Sequence, residues 1–581
     1  MSAFILFNNS DIVQVEKSRQ AFHRRGFKGE RIFATSAGTL LLCPKQNVEV
    51  VNFYSSSECS VYCVGTVVYK GCSYEDSLQM LVSDFKHGNL DSQKLRGSFV
   101  LLFDHNSQVS ILTDKTRMYR LYTNQDSSFL STSLIVAASL TQARINEDAV
   151  VEQLLCGYVG GGQTMIKDIS DVSFDLGQLS WLQELPSLCE NVNKEKCDSE
   201  TRSEANAAIL HDYLQDVKAL ACEYGSECGL SGGCDSRLIF SSVNVDCTPM
   251  NSVHTHQTSH IHDKEIEVVK QLSQLYNVPL RIIPTTYLPY YEGDIDEVLR
   301  ENVLYFDARN TGNIGAMSQT HTRKYKKLTS EGASVTFSGI GGEIYRNFYF
   351  TNLPFINVEG WLGTRLFEPG THLLFPHKTY KEAKKRIARK IADGTGLHFG
   401  KIAFPSMPKR YFDSYRIPYA LGNVVNANNQ MSFYLAPFTE NVFIEEARHD
   451  RKYQDHCGSF EGKILKHFDP KAAFVQTSRG YNLSNIPRSV SLKWKVMGML
   501  PSFVWRMYEK RGWHDMEKKK AYAMLKSRSS YYCNALSWFQ KVFPNWSYSA
   551  VDDGKIPLNS FVFTVCSLYE LTHCLPPSND V

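Results

Sequence analysis

The sequence is poor in the features that would assign it to a membrane, nucleic-acid-binding or repeat class. No apolar run approaches the roughly 18 to 20 residues that a membrane helix needs. The 63 lysines and arginines nearly balance the 60 aspartates and glutamates, and the resulting net charge of +3 does not predict a general nucleic-acid binder. No internal repeat or low-complexity tract is present. We therefore expect a globular protein with neither a membrane nor a nucleic acid as its partner.

The cysteines also lack a recognisable pattern. None of the 15 forms a Cys-x-x-Cys pair, which argues against a zinc ribbon and against a disulfide-rich secreted scaffold. The beginning, MSAFILFNNSDIV, has a short apolar stretch without a basic segment before it, so it predicts a first β-strand and not a signal peptide. Free thiols in a reducing cytoplasm are the simplest interpretation.

The length predicts two to four domains. Short apolar or alternating runs, broken by Gly, Asn and Asp, are typical of strands and dominate residues 1–185. Residues 186–203 are polar and aperiodic, as in a linker. A second domain, residues 204–581, begins with an amphipathic helix for which Ser203 is the predicted N-cap. Alternating strands and helices then predict a parallel sheet, and the pattern is mainly helical from about residue 288 onward.

The sharpest motif is SGGCDS, residues 231–236, between a predicted strand and a predicted helix. Two glycines let the backbone approach an anion with no Cβ in the way. Backbone N–H groups, two serine hydroxyls and the helix N-terminus make a nest for phosphate, and Asp235 can hold Mg²⁺ beside it. A plain Gly-Gly turn is the alternative. The predicted phosphate-binding residues here are Leu230, Ser231, Gly232, Gly233, Asp235, Ser236 and Arg237.

This string resembles the pyrophosphate loop of the ATP-pyrophosphatase superfamily, which includes the asparagine synthetases. A second segment, SGIGGE at residues 338–343, resembles the SGxGxDE segment of asparagine synthetases. The resemblance implies that Ser338, Gly339 and Gly341 contact the phosphates of ATP and that Glu343 holds Mg²⁺ together with Asp235. Glu343 stands where the family has Asp, and Ile344 replaces the family's Glu. Further contacts are assigned to Arg346 and Tyr349.

The resemblance also implies a fold. It consists of an α+β sandwich of the N-terminal-nucleophile type, followed by an α/β PP-loop synthetase domain, like the adenine nucleotide alpha hydrolases, with a helical C-terminal part. The segment PFTE, residues 437–440, is similar to the family's PFLD segment, where a helix packs under the active site.

The first domain resembles the glutaminase domain of asparagine synthetases without its chemistry. Ser2 stands where the family has its nucleophilic Cys, and a serine is a weaker nucleophile unless a base activates it. Residues 63–66, CVGT, replace the family's NGE segment, and Arg96 replaces the Asp that grips glutamine. This loss is similar to the beta-lactam synthetase and lasso-peptide cyclase branches, where the nitrogen comes from an amine of the substrate.

Family members use a lysine to stabilise the charged states of the reaction. Lys471 is the catalytic candidate, with Lys493 and Lys495 as alternatives. A lid over the nucleotide is assigned to residues 304–315. Four histidines, which we expect near adenosine and not around zinc, are His254, His256, His260 and His262.

The sequence thus predicts an ATP- and Mg²⁺-dependent ligase that adenylates a small-molecule or peptide carboxylate and passes it to an amine. Three alternatives stay open: amidotransfer from ammonia or glutamine, tRNA thiolation or adenylation, and a non-catalytic ATP-binding module. The absence of a catalytic cysteine pair argues against tRNA thiolation or adenylation. The sequence also leaves a homodimer open.

Overall fold

The computed structural model describes residues 2–9, 11–186, 198–258, 263–309, 317–319, 322–349, 355–396, 402–403, 406–450, 454–500, 504 and 515–573. The strands of this part of the chain are β1 Ala3–Phe7, β2 Arg31–Thr35, β3 Gly38–Cys43, β4 Phe53–Ser55, β5 Cys59–Gly65, β6 Val68–Tyr69, β7 Leu95–Arg96, β8 Phe99–His105, β9 Gln108–Thr113, β10 Tyr122–Asn124, β11 Phe129–Ser131, β12 Ile169–Asp171, β13 Gln183–Glu184, β14 Ser226–Gly229, β15 Ser252–Thr258, β16 Leu280–Thr285, β17 Val335–Phe337, β18 Ile356–Asn357, β19 Ile402–Ala403 and β20 Phe433–Leu435.

The helices are α1 Ile12–Arg24, α2 Tyr74–Lys86, α3 Leu134–Ser139, α4 Glu147–Cys156, α5 Ser199–Tyr224, α6 Asp235–Asp246, α7 Asp263–Leu275, α8 Ile295–Tyr305, α9 Arg323–Thr329, α10 Val358–Trp361, α11 His377–Thr395, α12 Ser406–Tyr411, α13 Gly422–Asn429, α14 Asn441–His449, α15 Ser459–Phe468, α16 Pro470–Phe474, α17 Arg488–Gly498, α18 Asp515–Arg528, α19 Ser530–Val542, α20 Ser549–Asp552 and α21 Leu558–His573. Two π-helical stretches continue α10 and α12, over Leu362–Leu366 and Phe412–Leu421. None of these helices combines the length and apolar character that crossing a bilayer requires.

Residues 1–185, the predicted first domain, contain two large sheets and the short pair β6–β7. Their strand orders are β12-β10-β11-β1-β3-β2 and β13-β9-β8-β5-β4, and all pairs are antiparallel except β13 with β9. Strand β1 is buried along its whole length, as its apolar run predicts, and pairs Ile5 with Leu41 and with Ser131. Helix α3 packs on the first sheet and α2 on the second. The predicted mixed α/β composition, with several sheets and a helical C-terminal part, is confirmed.

The second domain contains a five-stranded, all-parallel sheet with the order β16-β15-β14-β17-β20. If its strands are numbered along the chain, the order across this sheet is 3-2-1-4-5. The chain therefore adds two strands on one side of β14 and then two strands on the other side. The order reverses between β14 and β17, and ligands of such sheets bind in the crevice at the carboxyl ends of the strands beside this switch point. The fold therefore singles out the residues that follow β14 and β17.

Helix α5 begins earlier than the sequence predicts. The side chain of Asp198 accepts hydrogen bonds from the N–H groups of Glu200 and Thr201, so it is the N-cap. Ser203 lies inside the helix and donates to the carbonyl of Glu200, which corrects its assignment as N-cap. Residues 199–203 of the predicted linker are consequently helical, and residues 187–197 of that linker lie outside the described part.

Candidate functional site

The two glycine segments lie on adjacent strands at the switch point of the parallel sheet. Residues 230–234 connect the end of β14 to the start of α6, and residues 338–343 follow β17. The pairing of β14 with β17 aligns Cys228 with Phe337, so both segments leave the sheet at the same level. Leu230 is buried and donates its N–H to the carbonyl of His254 on β15, which fixes the first loop to the sheet. The structure thus brings the two predicted segments together.

The first loop is a compact nest of hydrogen bonds. The hydroxyls of Ser231 and Ser236 lie 2.9 Å apart, and the N–H of Ser231 donates to Ser236 Oγ at 3.0 Å. The N–H of Gly233 donates to Ser231 Oγ at 3.3 Å. The N–H of Gly232 donates at 3.1 Å to Oε1 of Glu265 on α7, so a carboxylate oxygen already sits in the nest. The N–H of Gly232 thus donates to an anionic oxygen, as an amide of a phosphate loop does.

Close packing explains why the second segment is rich in glycine. A Cβ at Gly339 would lie 2.5 Å from the carbonyl carbon of Asp235 and 2.5 Å from the N of Ser236. A Cβ at Gly342 would lie 2.3 Å from Asp235 Oδ1. Gly341 has φ +90° and faces the backbone of Phe438, in the PFTE segment. The second segment therefore lies directly on the N-terminus of α6.

Three carboxyl groups and one arginine meet at this point. Arg346 Nη2 forms a hydrogen-bonded ion pair with Asp235 Oδ2, and its Nε lies 3.4 Å from Glu461 Oε2. Glu461, on α15, is 1% exposed. Burial raises the pKa of Glu461 well above its usual range, with Arg346 opposing and Asp235 adding to the shift. Burial and then the charge of Asp235 raise the pKa of Glu343. The sequence predicted Asp235, Glu343 and Arg346 here and missed Glu461, because nothing in its local pattern marks it.

The carboxyl groups of Asp235 and Glu461 interact with each other. Burial favours the neutral form of Glu461, and a protonated Glu461 donates a hydrogen bond to Asp235. Carboxylate oxygens are the donors that Mg²⁺ prefers. No group of three His, Cys, Asp or Glu side chains surrounds a common metal position in the described chain.

Arg237, a predicted phosphate-binding residue, makes its hydrogen bonds to a different part of the chain. Its guanidinium is buried and donates to the carbonyls of Val475 and Gln476, at 2.5 and 2.9 Å. Burial lowers the pKa of Arg237 to about 10. These contacts join α6 to the segment after α16 and do not favour the predicted contact with phosphate.

The three predicted catalytic lysines are exposed. Lys471 lies in the first turn of α16, and Lys493 and Lys495 lie on α17. A different lysine, Lys326 on α9, has a pKa that burial lowers to about 8, while Glu227 of β14 opposes the shift. Lys326 was not a candidate, since a KYKK stretch is most often a solvated face.

Of the four histidines named in the sequence analysis, the structure describes His254 and His256, and both lie on strand β15. His254 Nδ1 lies 2.6 Å from Glu227 Oε2, and burial lowers the pKa of His256, on the same strand, to about 3. His260 and His262 lie outside the described residues. In the predicted lid, residues 304–309 are buried, which contradicts an exposed flap, and residues 310–315 lie outside the described part. Tyr349 is buried against Trp361 and Tyr411.

The position at which the resemblance places a nucleophile is not accessible to solvent. Ser2 is fully buried, and its Oγ accepts a hydrogen bond from the N–H of Gly65 at 3.0 Å. Arg96 forms an ion pair of 2.9 Å with Asp216 on α5. The N–H of Gly97 donates to Glu440 Oε1 at 3.0 Å. Asp216 and Glu440 therefore contact residues 96 and 97, where the resemblance places the group that grips glutamine.

Comparison with models of known protein families gives no match to this chain. Comparison with curated proteins likewise gives no significant match. The functional interpretation therefore depends on the short motifs and on their geometry.

Proposed function

We propose that this chain is an ATP-dependent carbon–nitrogen ligase. A substrate carboxylate attacks the α-phosphate of ATP, and an acyl-adenylate and pyrophosphate form. An amine then attacks the acyl carbon, AMP leaves, and an amide and a proton are released. The observation that supports this proposal is the meeting of SGGCDS and SGIGGE on adjacent parallel strands, with Asp235 between them. That position suits a nucleotide phosphate.

The chain's own groups have distinct roles in this proposal. The amides of Gly232 and Gly233 and the hydroxyl of Ser231 bind the pyrophosphate portion, which requires Glu265 to leave the nest. Asp235 and Glu343 are the residues that would hold Mg²⁺, and Arg346, which pairs with Asp235, is the group with which the ion would compete. Bound Mg²⁺ offsets the negative charge that develops on the leaving group.

The nitrogen donor is an amine of a substrate and not glutamine. The observation that favours this choice is the complete burial of Ser2, because a glutamine side chain would have to reach its hydroxyl.

A non-catalytic ATP-binding module is the second candidate. Arg346 is the feature that favours it, because a resident guanidinium already neutralises the carboxylate that would hold the metal. Ile344 also replaces a carboxylate that the resemblance assigns to the site.

The test is pyrophosphate release from MgATP in the presence of panels of carboxylates and amines, with ATP binding measured in parallel by equilibrium dialysis. We expect Asp235→Ala to lower turnover about 100- to 1,000-fold, as for the loss of one electrostatic group in an active site. Asp246→Ala is the matched control, since Asp246 ends the same helix and pairs with His211.

The outcomes separate the candidates. Equal turnover in Asp235→Ala and Asp246→Ala would contradict the site. ATP binding without turnover on any panel member would favour the binding module. Turnover that glutamine stimulates and Ser2→Ala abolishes would overturn the choice of nitrogen donor.

A further inference from the structure

Four arginines lie close together where the two predicted domains meet. Arg25 and Arg120 belong to the first domain, and Arg309 and Arg323 belong to the second. Burial lowers the pKa of Arg25 to about 10, and Asp307 opposes the shift. The charges of Arg323 and Arg309 lower this pKa further, so their guanidinium groups are neighbours of Arg25. Arg120 lines the same small cavity as Arg309. These four residues form a cationic cluster at the domain junction.

Two members of the cluster share one carboxylate. Arg25 Nε lies 3.3 Å from Asp307 Oδ1, and Arg309 Nε lies 3.8 Å from Asp307 Oδ2. The same carboxylate also accepts three hydrogen bonds from residues 133–135. Asp307 therefore offsets only one of the two positive charges beside it.

Each of the other two arginines has a carboxylate of its own. Arg120 pairs with Asp171 at 3.4 Å, and Arg323 pairs with Glu301 at 2.6 Å. Four guanidinium groups are thus paired with three carboxylates. The ion pairs of the described residues leave the cluster with an excess of one positive charge.

Several N–H groups of the shared pair also lack an acceptor. Arg25 is fully buried, and its Nη1 and Nη2 have no hydrogen-bond partner among the described residues. Arg309 is 8% exposed, and the same is true of its Nε and Nη1. Burying a cation without acceptors is costly unless an opposite charge compensates it. The cluster therefore favours the binding of an anion.

The turn that carries Arg309 is held in place. Asp307 and Ala308 have φ angles of +56° and +55°, in the left-handed region that residues other than glycine rarely adopt. The hydrogen bonds from residues 133–135 to Asp307 fix this conformation. Arg309 consequently stays at the junction instead of turning its charge toward solvent.

A cavity of about 40 Å³ adjoins Arg309. Its polar wall residues are Arg120, Tyr122, Gln163, Asp171, Arg309 and Asn423. The carboxylate of Asp171 is already paired with Arg120. One water molecule takes up about 30 Å³ in the liquid, so the cavity has room for a monatomic anion and not for a phosphate ester. Its size and the excess of one positive charge both fit chloride.

We propose that this cavity binds one chloride ion, or a monovalent anion of similar size, against the guanidinium of Arg309. The anion offsets the excess charge of the arginine cluster and thereby stabilises the contact between the two domains. This site is independent of the ligase function, because neither ATP nor a substrate carboxylate takes part in it.

The experiment measures the melting temperature of the full chain while chloride replaces gluconate, which is too large for the cavity, at constant ionic strength. We expect a rise that saturates with chloride, as for a ligand that binds only the folded state, and the same rise with bromide. Arg309→Gln should weaken the apparent affinity for chloride about 10- to 100-fold, as for the loss of hydrogen bonds to a charged group. Arg144→Gln is the matched control, since it removes one positive charge from an exposed pair with Asp168, and it should leave the chloride response unchanged.

Bromide also gives a direct readout on wild type. Crystals grown with bromide should show an anomalous-scattering peak in the cavity beside Arg309. A melting temperature of wild type that does not respond to chloride would overturn the proposal, as would equal responses of wild type and Arg309→Gln. The absence of a bromide peak would overturn it as well, and this result does not require any variant to fold.

Discussion

At the scale of single residues, Glu440 joins the two domains through a carboxyl group that is hard to ionise. It accepts the N–H of Gly97, and burial raises its pKa to about 7, with Arg96 opposing the shift. The unfolded carboxyl ionises near its ordinary value of 4.5. Between these two pH values the folded chain binds more protons than the unfolded chain, so the stability contributed by this group falls as the pH rises.

We therefore predict that Glu440→Gln flattens the decline in stability between about pH 5 and pH 8. Melting temperatures of wild type and variant, measured across this range, should diverge with rising pH in favour of the variant. Glu445→Gln, on the neighbouring helix α14, is the control, since Glu445 forms a partly exposed ion pair with Arg448 of the same helix. Parallel curves for wild type and Glu440→Gln would contradict the prediction.

Sequence reasoning at this scale can recognise a cluster of hydrogen bonds that forms within one short segment. Ser231, Gly232, Gly233 and Asp235 are adjacent in the chain, so their nest can be read directly. Sequence reasoning did not predict Glu461, which lies near the ion pair of Arg346 and Asp235 only because α15 packs against α6. Such contacts have no signature in a single sequence.

At the scale of elements, the contact between the second glycine segment and helix α6 defines the site. Gly339 fits only because it has no Cβ, since the nearest atoms are backbone atoms of Asp235 and Ser236 that cannot rotate away. Gly339→Ala should therefore push the segment off the helix. We expect a loss of about 1–3 kcal/mol in the free energy of unfolding, as for overpacking, together with weaker ATP binding.

Chemical denaturation and ATP dialysis check this outcome. Gly177→Ala is the control, because a Cβ there would meet only Asp175 Oδ1 at 3.7 Å. Unchanged stability and unchanged ATP binding in Gly339→Ala would show that the close approach does not exist in solution.

The elements themselves were largely predictable. The buried strands of the first domain follow alternating or apolar runs, and the βαβ alternation of the second domain predicts the parallel sheet. The start of α5 was predicted wrongly, because Asp198 and Ser203 are both acceptable N-caps and only the observed hydrogen bonds distinguish them.

At the scale of the whole molecule, Asp307 ties the domains together. Its carboxylate accepts hydrogen bonds from the hydroxyl of Ser133 and the N–H groups of Leu134 and Ile135, and lies 3.3 Å from Arg25. Arg25 and Asp307 are both fully buried. Residues 304–309 of the predicted lid therefore take part in a buried contact with residues 25 and 133–135, which sequence could not show because these partners are distant along the chain.

We predict that Asp307→Asn lowers the free energy of unfolding by about 3–5 kcal/mol, because it leaves the charge of Arg25 buried without its partner. Urea titrations followed by tryptophan fluorescence measure this loss. Asp553→Asn, which affects only an exposed pair with Lys555, should change stability by less than about 1 kcal/mol. Similar midpoints for the two variants would contradict an essential role of the buried pair.

Several hydrogen bonds between the two predicted domains can form only late in the synthesis of the chain. Lys45 donates to the carbonyls of Asn429 and Ser432, and Gly97 donates to Glu440. Roughly 250 residues separate the end of the first domain from these partners, which a ribosome adds in roughly 10 to 50 seconds. During that interval Lys45 and the N–H of Gly97 in the nascent first domain lack these partners. A pause in translation before residue 440 would therefore prolong the period in which chaperones must protect this face.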